Sequence, residues 1–548
     1  MIEGIDPTKF KDEEAREIII LLLNMVEKLS AQIRAFQEET QRLRDEINRL
    51  KGEQGKPQIR PQSKPVPQNI SSEKERYTPK TREHKNKQEH LEIAREEICR
   101  VDRAALPADA QFKGYEEVIV QDLRIESANV RFRKEKYYSP SEGRTILAPL
   151  PQGYDGQFGP DLRSFILSTY FASNVSEAKL HQMLTFFGIS ISMGQLSNIL
   201  ITSGAKEGFD AESSAVLAAG LESSFYQQID ETSTRVDGQN YSCQIITTPS
   251  YTAYRTVSGK DRLSVIRALT DGQPLSYLLN EHGLAYLEKQ GLAHKWLGQL
   301  KSWPTEIFFG EDYLEALLKE WAGLPVKQAK LIREGLALGA YQVQQLYKPV
   351  FVLIGDDAPQ WRELSAEIGL CWIHAVRHYK KLNPEVEYLG KVLNRFMGRI
   401  WCFYDELKAF KLAPDPQTAE ELRKKFRRLF STVTDYDDLN ELIARTKQKQ
   451  TELLLVLKYP QIPLHNNASE LGARQRVRKR DVSFGPRSQT GLKAWDTFMT
   501  LAETTRKLGV NFHAYLRDRI MRSAQIPPLA GLVKQKAADL NLALTPKF

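Results

Sequence analysis

The sequence predicts an α/β protein: a mixed sheet interrupted by large helical insertions and preceded by a coiled-coil helix. Three observations carry that reading. Apolar residues between Ile19 and Leu50 recur at alternating steps of three and four, the 3.5-residue period of a coiled-coil seam. Three short alternating runs follow one another between Phe225 and Val257, with turn residues between them, as consecutive antiparallel strands do. A purely apolar run, Val350 to Ile354, lies between helical stretches and closes on Gly355-Asp356-Asp357, which reads as a buried central strand.

Bulk properties bound the class. A chain of 548 residues allows about three or four domains. Lys and Arg total 77 against 69 Asp and Glu, a formal charge of +8, too weak for a histone-like protein. Hydrophobic residues at 41% and charged residues at 27% exclude a chain that is disordered throughout. No apolar run reaches the roughly 18 residues of a membrane-spanning helix, so no membrane partner is expected. Cys99, Cys243, Cys371 and Cys402 form no C-x-x-C pair, so neither a disulfide framework nor a zinc ribbon is expected. The expected setting is the reducing cytoplasm.

The elements follow in order. In residues 1–51 the seam is Ile19, Leu22, Val26, Leu29, Ile33, Phe36, Leu43, Ile47 and Leu50, interrupted by Thr40, with Glu38, Arg42, Glu46 and Arg49 outside it. This predicts self-association; the alternative is a long helix packed on the protein's own body. Residues 52–90 are rich in Pro, Gln, Lys and Ser and cannot bury enough surface to offset chain entropy, so a disordered basic linker is expected. Residues 91–160 read as a small strand-rich domain, with strands at Glu117–Val120 and Val130–Arg133 before a Gly/Pro turn at 150–153. In residues 161–222 the period becomes helical. Ser176–Phe187 and Ser192–Ser203, separated by Gly188-Ile189-Ser190-Ile191, have the spacing of a helix-turn-helix, a DNA-contacting unit or simply two packed helices.

The chemistry begins in residues 223–360. Strands are expected at Phe225–Ile229, ending in Asp230-Glu231-Thr232, at Tyr241–Thr247 after the turn Asp237-Gly238-Gln239-Asn240, and at Tyr251–Val257. A helical insertion fills about 261–346, a second fills 361–465, and residues 466–548 form a helix and a basic C-terminal region. Asp230 and Asp356 thus close two strands, and Glu470 opens a helix after Asn466-Asn467-Ala468-Ser469. Three converging carboxylates repel one another unless cations compensate. Hard oxygen ligands suit Mg²⁺ or Mn²⁺, and two such ions can activate a nucleophile and steady the leaving oxygen of a phosphodiester. Around them, His374, Arg377, His378 and Lys381 share one helix face, while Arg474 and Arg478 continue the Glu470 face at steps of four. Lys479 and Arg480 complete the basic run. His374, Arg377, Lys381, Arg474, Arg478, Lys479 and Arg480 are the candidate DNA-binding residues.

These motifs, taken together and in order, resemble the transposases of bacterial insertion sequence 66 elements. The residues that carry the likeness are Gln228-Ile229-Asp230-Glu231-Thr232, the strand ending in Asp356, Cys371-Trp372-Ile373-His374-Ala375-Val376-Arg377, Asn466-Asn467-Ala468-Ser469-Glu470 and Ser483-Phe484-Gly485. Leu501 to Thr505 and Ala514-Tyr515-Leu516 fit as well. The resemblance implies a ribonuclease-H-like core in which Asp230, Asp356 and Glu470 are the metal-binding catalytic acids, holding two Mg²⁺ or Mn²⁺ ions. It implies cleavage at the element's ends followed by joining of the freed 3′-hydroxyl to target DNA, with double-stranded DNA, a second copy of the chain and accessory element-encoded proteins as partners. Asp356 rather than Asp357 matches the family's acid. The chain departs from the pattern at His465, where Asp precedes the Asn pair, at Leu471, where Arg commonly follows the Glu, and in a Cys-rich segment reduced to Cys99. The rival readings are a DNA-binding protein without catalysis and a metal-dependent nuclease without strand transfer.

The charge is uneven. Residues 471–548 hold 15 basic and 5 acidic side chains, a net +10, whereas the other 470 residues carry 62 basic and 64 acidic. Clustered positive charge is what phosphate binding needs, so the C-terminal part is expected to face DNA.

Overall fold

The computed structural model describes residues 5–50, 91–102, 106, 107, 109–305 and 307–543; the expected linker at 52–90 lies outside them. The N-terminal helix, Glu13–Leu50, is continuous over 38 residues. The described residues between 91 and 135 contain no strand. In the runs expected as strands there, Val118, Val120 and Val130 are exposed, and Phe132 packs edge-on against Tyr154. Among the described residues of 91–160, strand pairing is confined to the hairpin β1 (Lys136–Ser139) with β2 (Arg144–Leu147), so the strands expected at 117–120 and 130–133 are not formed.

The helical reading of the next region holds. Helices run over Glu177–Phe186 and Met193–Lys206, and each is started by the serine before it. Ser176 accepts from the Lys179 amide, and Ser192 forms a reciprocal capping box with Gln195, satisfying amides that the first turn leaves free. With Pro160–Phe171 and Phe209–Ser223 they pack into the main core.

The central sheet has five strands in the order β5-β4-β3-β8-β9. β3 (Tyr226–Val236), β4 (Gln239–Thr248) and β5 (Tyr251–Val257) form an antiparallel meander. The turn between β3 and β4 has Asp237 and Gly238 at φ 48° and 74°, the left-handed pair that a two-residue hairpin requires. Two dipeptide strands, β6 (Tyr277–Leu278) and β7 (Phe308–Phe309), pair outside the sheet, within the first insertion. That insertion contains the helices Arg262–Leu269, Glu281–Lys289, His294–Lys301, Glu311–Lys319 and Val326–Val343. β8 (Val352–Gly355) then pairs parallel to β3, and β9 (Glu367–Leu370), absent from the sequence reading, pairs parallel to β8.

The free edge at β5 is closed by side chains. The helix Gln489–Leu508 offers Thr504, Thr500 and Asp496 at steps of four. They accept from the amides of Thr252 (3.3 Å), Tyr254 (3.0 Å) and Thr256 (2.7 Å), so donors that could template another strand are occupied. A second hydrophobic core gathers around Trp372, between the helices Trp372–Lys380, Glu387–Leu412, Pro416–Leu429 and Asp437–Gln448 of the second insertion.

The N-terminal helix divides along its length. Its first part docks on the second insertion. Leu23 is buried, Asn24 donates to Asp435 O (2.9 Å) and accepts from Asp437 N (3.0 Å), and Glu27 accepts from the amides of Glu385 and Val386 at the start of Glu387–Leu412. From Leu29 onward the seam residues Ile33, Phe36, Leu43 and Ile47 are exposed. The alternative read from the sequence, a long helix packed on the protein's own body, therefore holds for the first stretch of this helix.

Candidate active site

β3 and β8 place the first two acids. Their pairing ends at Gln228↔Ile354, and Asp230 and Asp356 each lie two residues further on, side by side where β8 stops. Asp230 does not close its strand as expected: β3 continues to Val236 because the hairpin with β4 carries it onward. The first turn of the helix Asn467–Ser483 supplies Glu470. Two contacts anchor that turn over the sheet. Asn466 Nδ2 donates to Ile229 O (2.6 Å), one residue before Asp230, and Asn466 N donates to Cys371 Sγ (3.2 Å). Two residues after Glu470, a Cβ at Gly472 would come within 2.8 Å of Ile245, so glycine permits the close approach of helix to sheet.

The electrostatics follow from that placement. Burial pushes the Asp230 carboxyl up to about 7; the Glu231 amide opposes the rise, and the negative charges of Glu470 and Asp356 add to it. Burial also raises Asp356, against the pull of His374 and of the Ala358 amide. Neither has a Lys or Arg within ion-pair distance among the described residues. Asp357 differs: Arg362 and Lys449 each pair with one of its oxygens and, against its burial, hold it below the usual carboxylate range. This leaves Asp356 as the available acid, as the motif match suggested.

Glu470 is nine-tenths buried and held from one side. Arg377 Nη2 donates to its Oε2 (3.0 Å), and Arg474 stands 3.9 Å from the same oxygen. Arg377 Nη1 also lies 2.9 Å from His374 Nε2. A guanidinium can only donate, so the neutral imidazole carries its proton on Nδ1. That atom points at Glu470 Oε1, 3.7 Å away. Cys371, His374 and Glu470 bring potential ligand atoms within 4.8 Å of one another, yet with Nε2 accepting from Arg377 and Nδ1 protonated this tautomer leaves His374 no free lone pair for a metal. Burial keeps His374 below its ordinary range and pushes the Cys371 thiol up to about 11.

The pocket also holds acceptors without donors: Glu470 Oε1, Asn466 Oδ1 and Asn467 Oδ1 are buried and without hydrogen bonds. Buried oxygens of this kind usually find a partner. Like the carboxylates of the two uncompensated aspartates, they are hard oxygen donors of the kind that Mg²⁺ or Mn²⁺ takes.

The basic residues divide. Lys381 and Arg478 are exposed, as is Arg474, and could meet phosphate. Arg480 is half-buried and donates to Ser233 O. Lys479 is corrected outright: it is fully buried, donates to Tyr170 O (2.5 Å), and burial lowers its ammonium to about 7. It cannot contact DNA, because it faces into the core from the opposite side of its helix. Arg476 is buried as well, paired with Asp496 (3.0 Å).

The C-terminal charge surplus likewise disperses. Lys493, Arg517, Arg519 and Lys534 pair with Asp210, Asp161, Glu212 and Glu222, all in the helical region before β3. Lys507 is half-buried and donates to Thr248 O (2.6 Å) and Tyr251 O (2.8 Å) at the β4–β5 turn. The sequence reading missed Asn466 as an anchor and the roles of Lys449 and Arg362. The Asn pair before Glu470 was a legible signal for the first; nothing local marked the other two.

The profile of the transposase IS66 family matches residues 351–494, which span β8, the second insertion and the helix bearing Glu470. An uncharacterized protein, y4jO, of Sinorhizobium fredii (strain NBRC 101917 / NGR234) is 35% identical over 325 residues, 59% of this chain and the whole of that protein. No solved structure matches the chain. The profile match places the chain in the transposase IS66 family.

Proposed function

We propose that the chain is a DNA transposase that cleaves the ends of its element and joins them to target DNA. The observation that carries this reading is the pocket of Asp230, Asp356 and Glu470, delivered by two neighbouring strands and a helix, with no cationic side chain on either aspartate among the described residues. The sheet order, three antiparallel strands followed by two parallel ones, supports a ribonuclease-H-like core. Asp230, Asp356 and Glu470 would hold one or two Mg²⁺ or Mn²⁺ ions, which supply Lewis-acid charge for phosphodiester chemistry.

The chain's own residues prepare the site. Arg377 holds Glu470 through Oε2, and Asn466 ties the helix start to β3. Burial limits water around the acids. Exposed Lys381, Arg474 and Arg478 are placed to contact DNA phosphate near the pocket. The helix pair Glu177–Phe186 and Met193–Lys206 has the form of an end-recognition unit. The exposed seam from Leu29 to Leu50 suits pairing with a second copy. No described helix is long and apolar enough to cross a membrane, which suits work on DNA in the cytoplasm, with or without accessory element-encoded proteins.

The test uses purified protein, Mg²⁺ or Mn²⁺ and DNA bearing the element's own ends. Cleaved and joined products are expected. Cleavage without joining would favour a nuclease, and binding without either would favour a non-catalytic DNA-binding protein.

A further inference from the structure

Much of the positive charge after Glu470 is paired or buried, and a set of cations without acid partners lies elsewhere. In the helical hairpin of Glu387–Leu412 and Pro416–Leu429, every acid but Glu421, which accepts from the Gln417 amide (3.2 Å), is matched to particular bases. Glu406 takes Lys425 (2.5 Å), Glu420 takes Arg423 and Arg427 (3.4 and 3.3 Å), and Asp405 takes Lys408 (2.7 Å). Arg395, Arg399, Lys424 and Arg428 remain, all exposed and without an acid partner among the described residues.

These four form one patch. Arg395 and Arg399 are four residues apart, as are Lys424 and Arg428, so each pair shares a helix face. The two faces meet where Arg399 Nη2 donates to Thr432 Oγ1 (3.2 Å), which in turn donates to Arg428 O (3.5 Å). Between Lys391 and Lys411 the first helix exposes no large apolar side chain, and Val433 is the single such residue beside Thr432. A protein partner would need an apolar centre to bury. Dense, unpaired cations without one suit a phosphate backbone, whose binding is driven by counterion release.

We infer that this patch on the second insertion is a sequence-independent contact surface for the duplex DNA backbone, separate from the basic residues around Glu470. The inference rests on the reading of DNA as substrate. Exposed Cys402 follows Arg399 by three residues and so lies within the patch, where bound DNA would cover it.

The experiment uses the full chain without added metal and a labelled duplex of about 30 base pairs lacking element ends. Binding is followed by anisotropy over a salt series, and alkylation of Cys402 by mass spectrometry, with exposed Cys99 as internal reference. The variant R395A/R399A/K424A/R428A should bind at least ten-fold more weakly. Its slope of log K against log salt should flatten by about 3 to 4, at about 0.9 for each phosphate left unneutralised. Replacing the three arginines by lysine should keep the slope, which separates lost charge from misfolding. DNA should slow alkylation of Cys402 several-fold relative to Cys99. An unchanged slope, a Cys402 equally reactive with DNA, or no duplex binding by the wild type at low salt would overturn the assignment. So would a variant that binds DNA normally but runs smaller on a sizing column, which would give the patch to a second copy. None of these readouts needs cleavage, so failure of the acidic site leaves them intact.

Discussion

At the end of β8 two successive carboxylates meet opposite surroundings. Asp356 turns toward Asp230 and Glu470, has no Lys or Arg paired with it among the described residues, and is raised by burial. Asp357 turns away and is gripped by Arg362 and Lys449, which lower it despite its burial. The grip extends into both insertions. Lys449 belongs to the second, while Arg262, anchored in the first by Glu334 (2.6 Å), donates to Pro359 O and Arg362 O. One region holds two aspartates left unmatched beside a Glu470 that Arg377 holds; the other is a clamp of charges matched in pairs. Burial alone therefore does not separate the two aspartates; the presence or absence of a cationic partner does, and buried acids without one are candidates for function.

The largest expected difference between the two is chemical. Asp230→Asn, Asp356→Asn and Glu470→Gln should each reduce end cleavage at least about 1000-fold while DNA binding survives, a loss on the order of 4 kcal/mol in the barrier. Asp357→Asn should cost no more than about ten-fold. If Asp357→Asn were as damaging as Asp356→Asn in single-turnover cleavage, the contrast would be wrong.

The next effect is on stability against pH. In the unfolded chain Asp230 loses its proton near 3.8, and in the fold near 7. Unfolding thus releases a proton between those values, and metal-free stability should fall as pH rises from about 4 to 7, then level off. Asp230→Asn should flatten that slope and raise the metal-free melting temperature at pH 8, by up to about 2–4 kcal/mol of stability. Added Mg²⁺ should stabilise the wild type more at pH 8 than at pH 5. Thermal unfolding across pH, with and without Mg²⁺, checks both.

Breaking the clamp should cost less. Asp357→Ala leaves Lys449 and Arg362 without their partner and should lower stability by about 1–2 kcal/mol, discounted because the pair is partly exposed. Denaturant unfolding measures it, and a loss no larger than that of an ordinary surface substitution would remove the clamp from the account.

The smallest effect separates two neighbours on one helix. Arg478→Ala should flatten the salt dependence of DNA binding by about 0.9. Lys479→Met should leave it unchanged and alter stability instead. A slope change for Lys479→Met would show that its buried position opens when DNA binds.

Much of this was legible in the chain itself. The three meander strands, the Asp-Gly turn, the serine-capped helix pair and the buried β8 run all announce themselves through local periodicity and capping, because those signals act within a few residues. The acids at 230, 356 and 470 were legible too, each sitting in a recognisable local motif. Strands at 117–120 and 130–133 were misread because alternation states only that one face could be buried, not that a partner strand exists. β9 was missed because Glu367 to Leu370 is too short to show a period.

Composition misled in a further way. A surplus of +10 after Glu470 looked like a DNA surface, yet Lys479 and Arg476 are buried, Lys507 is spent on the β4–β5 turn, and Arg517, Arg519 and Lys534 pair with acids more than 300 residues away. By itself the sequence determined the acidic motifs, the strand and helix periods and the family, since all of these are written in short-range order. Only the tertiary structure decided which carboxylates stay uncompensated, which stretch of the N-terminal helix is docked, and which cations remain free. Pairing and burial depend on contacts between distant segments, and no local pattern encodes those.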